Sequence, residues 1–249
     1  MLSYDKAWKC FRRLSDENVE TAIHLISRPR WPRVPRLTIT DIGCGDGLLM
    51  EQILLNAPST ISEVRLIDPD PSFLEEATRH VSEAQDSAKV VACLEGAESL
   101  DRVDLVGVSV VLAVHVVYLI DASALNQILI SLPANTPLYV VLDEPTSVFS
   151  RLWSISAEKY LRRSQQAHQR LARLRQEGYI VEHSTITSHI DNPLVLRPDV
   201  KDAILSILCY ADARDFSREE YERVEKEIAK SIAGQRLLCE SACYEIVRD

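Results

Sequence analysis

The stretch LTITDIGCGDGLLM, residues 37–50, decides how this chain is read. Leu37–Ile42 is a short apolar run carrying Asp41, Gly43-Cys44-Gly45-Asp46-Gly47 is a turn, and Leu48–Leu55 has helical character. A strand, a glycine turn and a helix in that order form the place where open parallel sheets meet their ligands. Glycines without Cβ let the backbone approach a ligand and adopt positive φ. The helix start behind them is expected to offer unpaired N–H groups. The pyrophosphate-binding spacing GxGxxG would need glycine at position 48, where the chain has Leu48. The pattern present is GxGxG with an acid two residues ahead, which argues against a nicotinamide dinucleotide.

Working outward, the periodicity predicts strands at Val64–Ile67, Lys89–Leu94, Val103–Leu112 and Leu138–Leu142, with helices at Ser72–Val81 and Leu125–Leu132 between them. Strand and helix alternate five times and the strands are almost continuously apolar. That is the pattern of a parallel sheet covered by helices on both faces. Asp68 closes the second strand, the position from which a carboxylate accepts hydrogen bonds from both hydroxyls of a ribose. Upstream, residues 1–28 read as two helices interrupted at Ser15-Asp16-Glu17-Asn18, with Ser15 or Asp16 placed to cap the second. The segment RPRWPRVPR, residues 28–36, holds three prolines and four arginines and reads as an ordered connector. Downstream come a long helix Ser156–Glu177, a strand Tyr179–Thr187, helices near Asp199–Ala211 and Ser217–Ile232, and a last strand near Cys239–Val247. The fold class is α/β, a doubly wound, seven-stranded, mostly parallel sheet with an N-terminal helical lid and a C-terminal helical insertion. The whole chain reads as one domain. Its lid and connector span 1–36, its cofactor-binding core 37–145, and its substrate-side helices and last strands 146–249.

Composition narrows the classes. The chain has 249 residues, 46% of them hydrophobic, enough for a substantial core. A formal net charge of −9 makes nucleic acid a poor partner. The arginine-rich segment from Arg162 to Arg175, with Leu161, Leu171 and Leu174 between the charges, reads as a solvated amphipathic helix. No uncharged apolar run reaches the length of a membrane span, and the N-terminus lacks the apolar core of a secretory signal, so a cytoplasmic protein is expected. The six cysteines include no CxxC pair and read as buried thiols. The six histidines form no metal-binding cluster, and no metal is expected.

DIGCGDG, Asp68 one strand later and the acidic turn Glu95–Glu98 together resemble class I S-adenosylmethionine-dependent methyltransferases, over residues 37–145. The resemblance implies a Rossmann-like methyltransferase fold with S-adenosylmethionine as cofactor and S-adenosylhomocysteine as product. It turns Asp41, Gly43, Cys44 and Gly45 toward the methionine part of the cofactor. It sets Asp68 on the ribose with Pro69 and Phe73 beside it, Gly96, Ala97 and Glu98 near the adenine, and Leu112 and Ala113 on the other side. A further resemblance spans nearly the whole chain. Tyr4, Trp8, Phe11, the arginines after it, Leu14 and Glu17 are similar to the N-terminal pattern of histamine N-methyltransferases, as are VVYLID around Tyr118 and Phe149 with Leu152-Trp153. In that family a glutamate and an asparagine grip the substrate amine and imidazole, and a glutamine after the fourth strand contacts the substrate. Glu17 matches the glutamate, whereas Glu240 stands at the asparagine and Val114 at the glutamine, departures that point away from histamine itself.

Methyl transfer from a sulfonium is an in-line displacement, so the protein must orient a nucleophile and exclude water. An amine must be neutral when it attacks, and a carboxylate can position it and take its proton. Glu17 and Glu240 are the candidates, with His115 a possible base beside the fourth strand. Tyr4, Trp8, Phe11, Tyr118, Phe149 and Trp153 supply aromatic faces for a planar or cationic acceptor. The implied reaction is N-methylation of a small amine- or heterocycle-bearing molecule. On the residues alone, O- or carboxyl methylation and a non-catalytic cofactor-binding homologue stay open, and the oligomeric state is unknown.

Overall fold

Strand β1 (Arg36–Ile42) pairs in parallel with β2 (Thr60–Asp68) on one side and β4 (Val110–Val114) on the other. In register, Asp41 lies opposite Leu66 and Leu112. β3 (Lys89–Leu94) and β5 (Leu138–Asp143) extend the sheet outward, also in parallel. Every residue of β5, and all of β4 up to Ala113, is buried, as expected for central strands covered on both faces. Two thirteen-residue strands, β6 (Tyr179–Asp191) and β8 (Arg236–Arg248), complete the order β3-β2-β1-β4-β5-β8-β6.

The computed structural model describes residues 4–96, 105–120 and 122–248, with side chains described from Ala7 onward at the N-terminal end. The chain divides into two compact units. A sheet unit comprises Thr21–Leu142, Gln166–Ser184 and the chain from Ala242; a helical unit comprises the chain up to Glu20, Asp143–Gln165 and Thr185–Ser241. β6 and β8 each continue from one unit into the other.

In the sheet unit, helices α3 (Leu48–Asn56) and α4 (Pro71–Ala84) pack on each other, and α4 covers β2 and β3. Asp70 caps α4 by accepting the Ser72 N–H at 2.8 Å, with Pro71 preset for the first turn. The arginine-proline connector is ordered. Its Trp31 is 1% exposed, with its ring 5.9 Å from that of Tyr139. Arg28 Nε donates to buried Glu245 at 3.0 Å and its guanidinium reaches Glu182 at 3.1 Å. Arg30 faces the same two carboxylates at 3.6 and 3.3 Å. α5 (Ala122–Ser131) also belongs to this unit.

In the helical unit, α1 (Tyr4–Leu14) packs on α8 (Pro198–Cys209), and α6 (Val148–Ser156) packs on α8 and α9 (Arg218–Lys230). Ser147 caps α6, and Ser217 with Glu220 forms a capping box on α9. At the start of α2 (Glu17–Ser27) it is the Ser15 hydroxyl that accepts the Glu17 N–H, at 3.1 Å. Asp16 instead accepts the His189 N–H at 2.6 Å and ion-pairs Arg236 at 2.9 Å.

Four sequence expectations are corrected. Of the strand predicted over Val103–Leu112, residues 103 and 104 lie outside the described residues and the rest becomes strand only at Val110, because Gly107 takes a left-handed φ of 73° in a turn closed from Val108 N–H to the Leu105 carbonyl. The helix predicted over Ser156–Glu177 is α7 (Glu158–Arg173) followed by a 3-10 turn. It is separated from α6 at Ala157, whose φ of −144° is not helical. An eighth strand, β7 (Ile232–Ala233), pairs antiparallel with β8 around Gly234 and Gln235, where the sequence predicts the end of a helix. Cys44, Cys209, Cys239 and Cys243 are buried, whereas Cys10 and Cys93 are only half-buried. No described helix is long and apolar enough to cross a membrane.

Candidate functional site

The glycine turn lies between the end of β1 and the start of α3. Gly43, Gly45 and Gly47 all take left-handed φ, at 71°, 53° and 76°. They do so for different reasons. A Cβ on Gly43 would sit 2.5 Å from Val116 Cγ2, and one on Gly47 would sit 2.6 Å from Ala77 Cα, so these two glycines let neighbouring elements close on the loop. At Gly45 a Cβ would meet nothing within 4 Å. The loop is therefore pinned at both ends and open in the middle.

The loop amides are already engaged. Gly43 and Cys44 donate to the Ile67 carbonyl at 2.8 and 3.1 Å, Gly45 to Asp68 Oδ2 at 3.0 Å, and Gly47 to the Cys44 carbonyl at 3.1 Å. The Leu48 N–H is capped by Asp46 Oδ1 at 3.3 Å. Of the unpaired amides expected behind the loop, Leu48 is thus capped, while those of Leu49 and Met50 in the first turn of α3 meet no acceptor among the described residues. An anion cradle needs free N–H groups converging on it, and here the loop spends its own on itself.

Asp68 stands at the loop's open centre. Its Oδ1 accepts the Asp70 N–H at 2.9 Å while Oδ2 holds Gly45, so one carboxylate fixes both the glycine turn and the turn into α4. Burial raises its pKa, and the two amide hydrogen bonds oppose that rise. Asp41, 2% exposed at the end of β1, is pushed up to about 7 by burial and then by the charge of Asp68. Two acids on one wall favour a ligand bringing hydroxyls and a positive charge over one bringing phosphates.

The other expected cofactor residues are distributed around this turn. Pro69 is exposed, and Phe73 and Gly96 are half-buried; Ala97 and Glu98 lie outside the described residues. Leu112 and Ala113 are fully enclosed in β4. Beyond them, Val114 is half-buried and His115 turns the chain with a left-handed φ of 54°, donating its N–H to the Val141 carbonyl at 2.8 Å. A non-glycine residue there carries backbone strain held by its surroundings. The turn delivers Val116 onto Gly43. Tyr118, its ring 6.5 Å from that of His115, is 2% exposed.

In the helical unit, Glu17 is held by Arg12, whose Nη1 lies 3.5 Å from its carboxylate and 2.9 Å from Asn18 Oδ1. The Arg12 guanidinium also sits 4.3 Å over the Trp8 ring. Trp8 stacks on buried Phe11 with ring centres 5.6 Å apart. Cys239 is a thiol driven well up, first by burial and then by the charges of Glu17, Asp143 and Asp16. The charge of Asp143, the last residue of β5, thus reaches Cys239 beside that of Glu17. The only signal of Asp143 in the sequence was its place at a strand end before Glu144-Pro145. Glu240, half-buried, follows Cys239 on the opposite face of β8, and its backbone carbonyl receives the Glu144 N–H at 3.0 Å. The aromatic pair from α6 is interior: Phe149 is 7% exposed, and Trp153 is fully enclosed with its indole N–H donated to the Leu208 carbonyl at 3.1 Å. The side chain of Tyr4 is outside the described part.

Comparison with solved structures rests on this geometry. The chain has the class I methyltransferase fold. A Bacillus halodurans protein assigned as a methyltransferase superposes with a TM-score of 0.59 at 13% identity, over 93% of this chain and 99% of that one. The plantazolicin methyltransferase BpumL in complex with S-adenosylhomocysteine matches at 0.53 and 15% identity, over 99% of this chain and 88% of its own. A methyltransferase from Geobacter sulfurreducens dependent on S-adenosylmethionine, again with S-adenosylhomocysteine, matches at 0.50 and 15%, over 94% and 91%. No protein family and no curated protein sequence matches the chain.

Proposed function

We propose that the protein is an S-adenosylmethionine-dependent methyltransferase acting on nitrogen of a small amine- or heterocycle-bearing molecule. The observation that carries this reading is the open centre of the glycine turn, flanked by Asp68 and lined by amides that already have partners. A nucleoside with hydroxyls and no phosphate suits that wall. A dinucleotide suits it less, since the amides of the glycine turn itself, Gly43 to Gly45 and Gly47, are spent and Asp68 stands at its centre.

When bound, S-adenosylmethionine supplies an electrophilic methyl on a sulfonium. Asp68 would accept the ribose hydroxyls with the lone pairs left after its bonds to Gly45 and Asp70. Asp41, buried behind the loop, would accept a hydrogen bond from the cofactor's amino-acid end rather than supply a full charge. On the acceptor side, Glu17 would orient an amine and receive its proton, with Arg12 fixing the carboxylate. The buried thiol of Cys239, held protonated among the acids, is unsuited to act as a nucleophile.

Calorimetric titration with S-adenosylmethionine, S-adenosylhomocysteine and NAD tests the reading. The first two are expected to bind and NAD is not. Asp68→Ala should weaken S-adenosylhomocysteine at least about 30-fold, the loss of a charge-assisted pair of hydrogen bonds. Near-normal affinity in that variant defeats the ribose assignment. Glu17→Gln should keep cofactor affinity and lose turnover of amine acceptors; equal loss of both reduces Glu17 to a structural helix-start acid.

A further inference from the structure

The helical unit contains a cavity of about 660 Å³, within the range that small organic ligands occupy. Its walls come from α1, the start of α7 and, above all, α8 with the turn that follows. Three of its wall residues are aromatic: Trp8, Tyr160 and Tyr210. The two tyrosine rings lie 4.8 Å apart, and Trp153 packs edge-on behind Tyr210 at 5.4 Å, so that ring is held from the rear by the core. Tyr210 ends α8 in a left-handed conformation, φ 49°, which costs backbone energy and sets its direction.

The polar capacity of the walls is mostly acidic. Asp199, Asp202 and Asp212 line the cavity against a single guanidinium, Arg214, which is ion-paired with Asp212. Ser206 is spent: its hydroxyl donates to the Asp202 carbonyl at 2.8 Å and accepts the Ala213 N–H at 2.9 Å. Asp202 Oδ1 accepts the Tyr221 hydroxyl at 2.7 Å, and its other oxygen has no partner among the described residues. Among the described residues Asp199 meets only the exposed Arg197, at 3.4 Å. Trp8 already carries the Arg12 guanidinium and stacks on Phe11, so what remains for a ligand is carboxylate oxygen and the tyrosine faces. Both attract cations, and an anion would be repelled by each.

We propose that this cavity binds the cationic group of a small organic molecule, a protonated or quaternary amine, through Tyr160, Tyr210, Asp202 and Asp199. Resting on the methyltransferase reading above, it narrows the acceptor class. A nitrogen held here as a cation has no lone pair to attack with, so the acceptor carries two functions: a charged handle in this cavity and a separate nucleophilic atom.

Choline and its neutral carbon isostere 3,3-dimethylbutan-1-ol are the probes, titrated into the full chain by calorimetry and ligand-observed NMR, with S-adenosylhomocysteine titrated in parallel. Choline's quaternary nitrogen cannot be methylated, so the measurement isolates binding. Choline should bind one per chain and at least about tenfold tighter than the isostere. Asp202→Asn, which keeps an oxygen for Tyr221, should weaken choline about five- to tenfold, and Tyr160→Leu about fivefold. Both variants should retain the circular dichroism spectrum and S-adenosylhomocysteine affinity of the parent. Equal binding of choline and the isostere, or choline affinity unmoved in both variants, overturns the proposal. Silence toward choline with intact S-adenosylhomocysteine binding also overturns it and leaves the methyltransferase reading in place. Choline binding with silence toward S-adenosylhomocysteine keeps the cation site and removes the methyltransferase reading.

Discussion

In the sheet unit, charge is taken inside and paired there: Glu245, 1% exposed, is gripped by Arg28 at 3.0 Å and Arg30 at 3.6 Å, and the same arginines share Glu182. In the helical unit the corresponding knot, Asp16 with His189 and Arg236, stays wet, with side chains 25–41% exposed. The glycines differ in the same way. Gly43 is hemmed in by Val116, whereas Gly234, at a similar φ of 65°, faces open space. One unit is over-determined by packing and the other is tolerant.

Removing one partner of the inside pair should give the largest effect. Arg28→Met leaves Glu245 buried without its closest cation and should cost about 3–5 kcal/mol in urea unfolding. Arg236→Met, at the exposed knot, should cost about 1 kcal/mol or less. Similar losses in the two variants would break the contrast between the units.

Asp41 gives the next effect, with the opposite sign. Its folded pKa of about 7 lies above its ordinary 3.8, so folding favours the protonated form. The stability it contributes is complete below pH 4 and is lost as pH rises through 7. Asp41→Asn should therefore match the parent at pH 4 and exceed it at pH 8 by on the order of 2–4 kcal/mol in thermal unfolding. Asp68 is shifted the same way and leaves the variant a smaller slope. Equal stability at pH 8 would show that the loop tolerates the charge without cost.

The glycines sharpen the comparison at the lower end. Gly43→Ala should cost about 2–3 kcal/mol, the left-handed penalty plus displacement of Val116. Gly234→Ala should cost only the backbone part, about 1 kcal/mol. Denaturation of the two variants side by side decides it, and a reversed order would mean that Val116 yields freely.

The sheet was legible because its strands are apolar on both faces and its turns are punctuated; Lys89–Leu94 is a strand from the first residue predicted to the last. Val103–Leu112 misled for the same reason. An apolar run also serves a turn, here with Leu105 and Val108 buried and Val106 exposed, and only Gly107 marked where the chain would bend. The glycine turn and Asp68 were visible as residue types at a spacing, but which amides are spent depends on Ile67 across the sheet, which spacing cannot reveal. In the helical unit, Asp199, Asp202 and Ser206 recur at helical spacing on α8 and were readable as a polar stripe. That Tyr160 and Tyr210 complete a wall with them requires the turn after α8 to be seen. Trp153 was placed by resemblance at an acceptor and stands in the core, where its indole N–H finds the Leu208 carbonyl.

The glycine turn has one more consequence, which concerns time. Because Ile67, Asp68, Cys44 and Asp46 already hold its amides, the loop has its shape before any ligand arrives. Entry at this turn then requires no ordering of its backbone, and the rate of association there is set by encounter. Differences in affinity among ligands of this site should thus be written in how long each one stays.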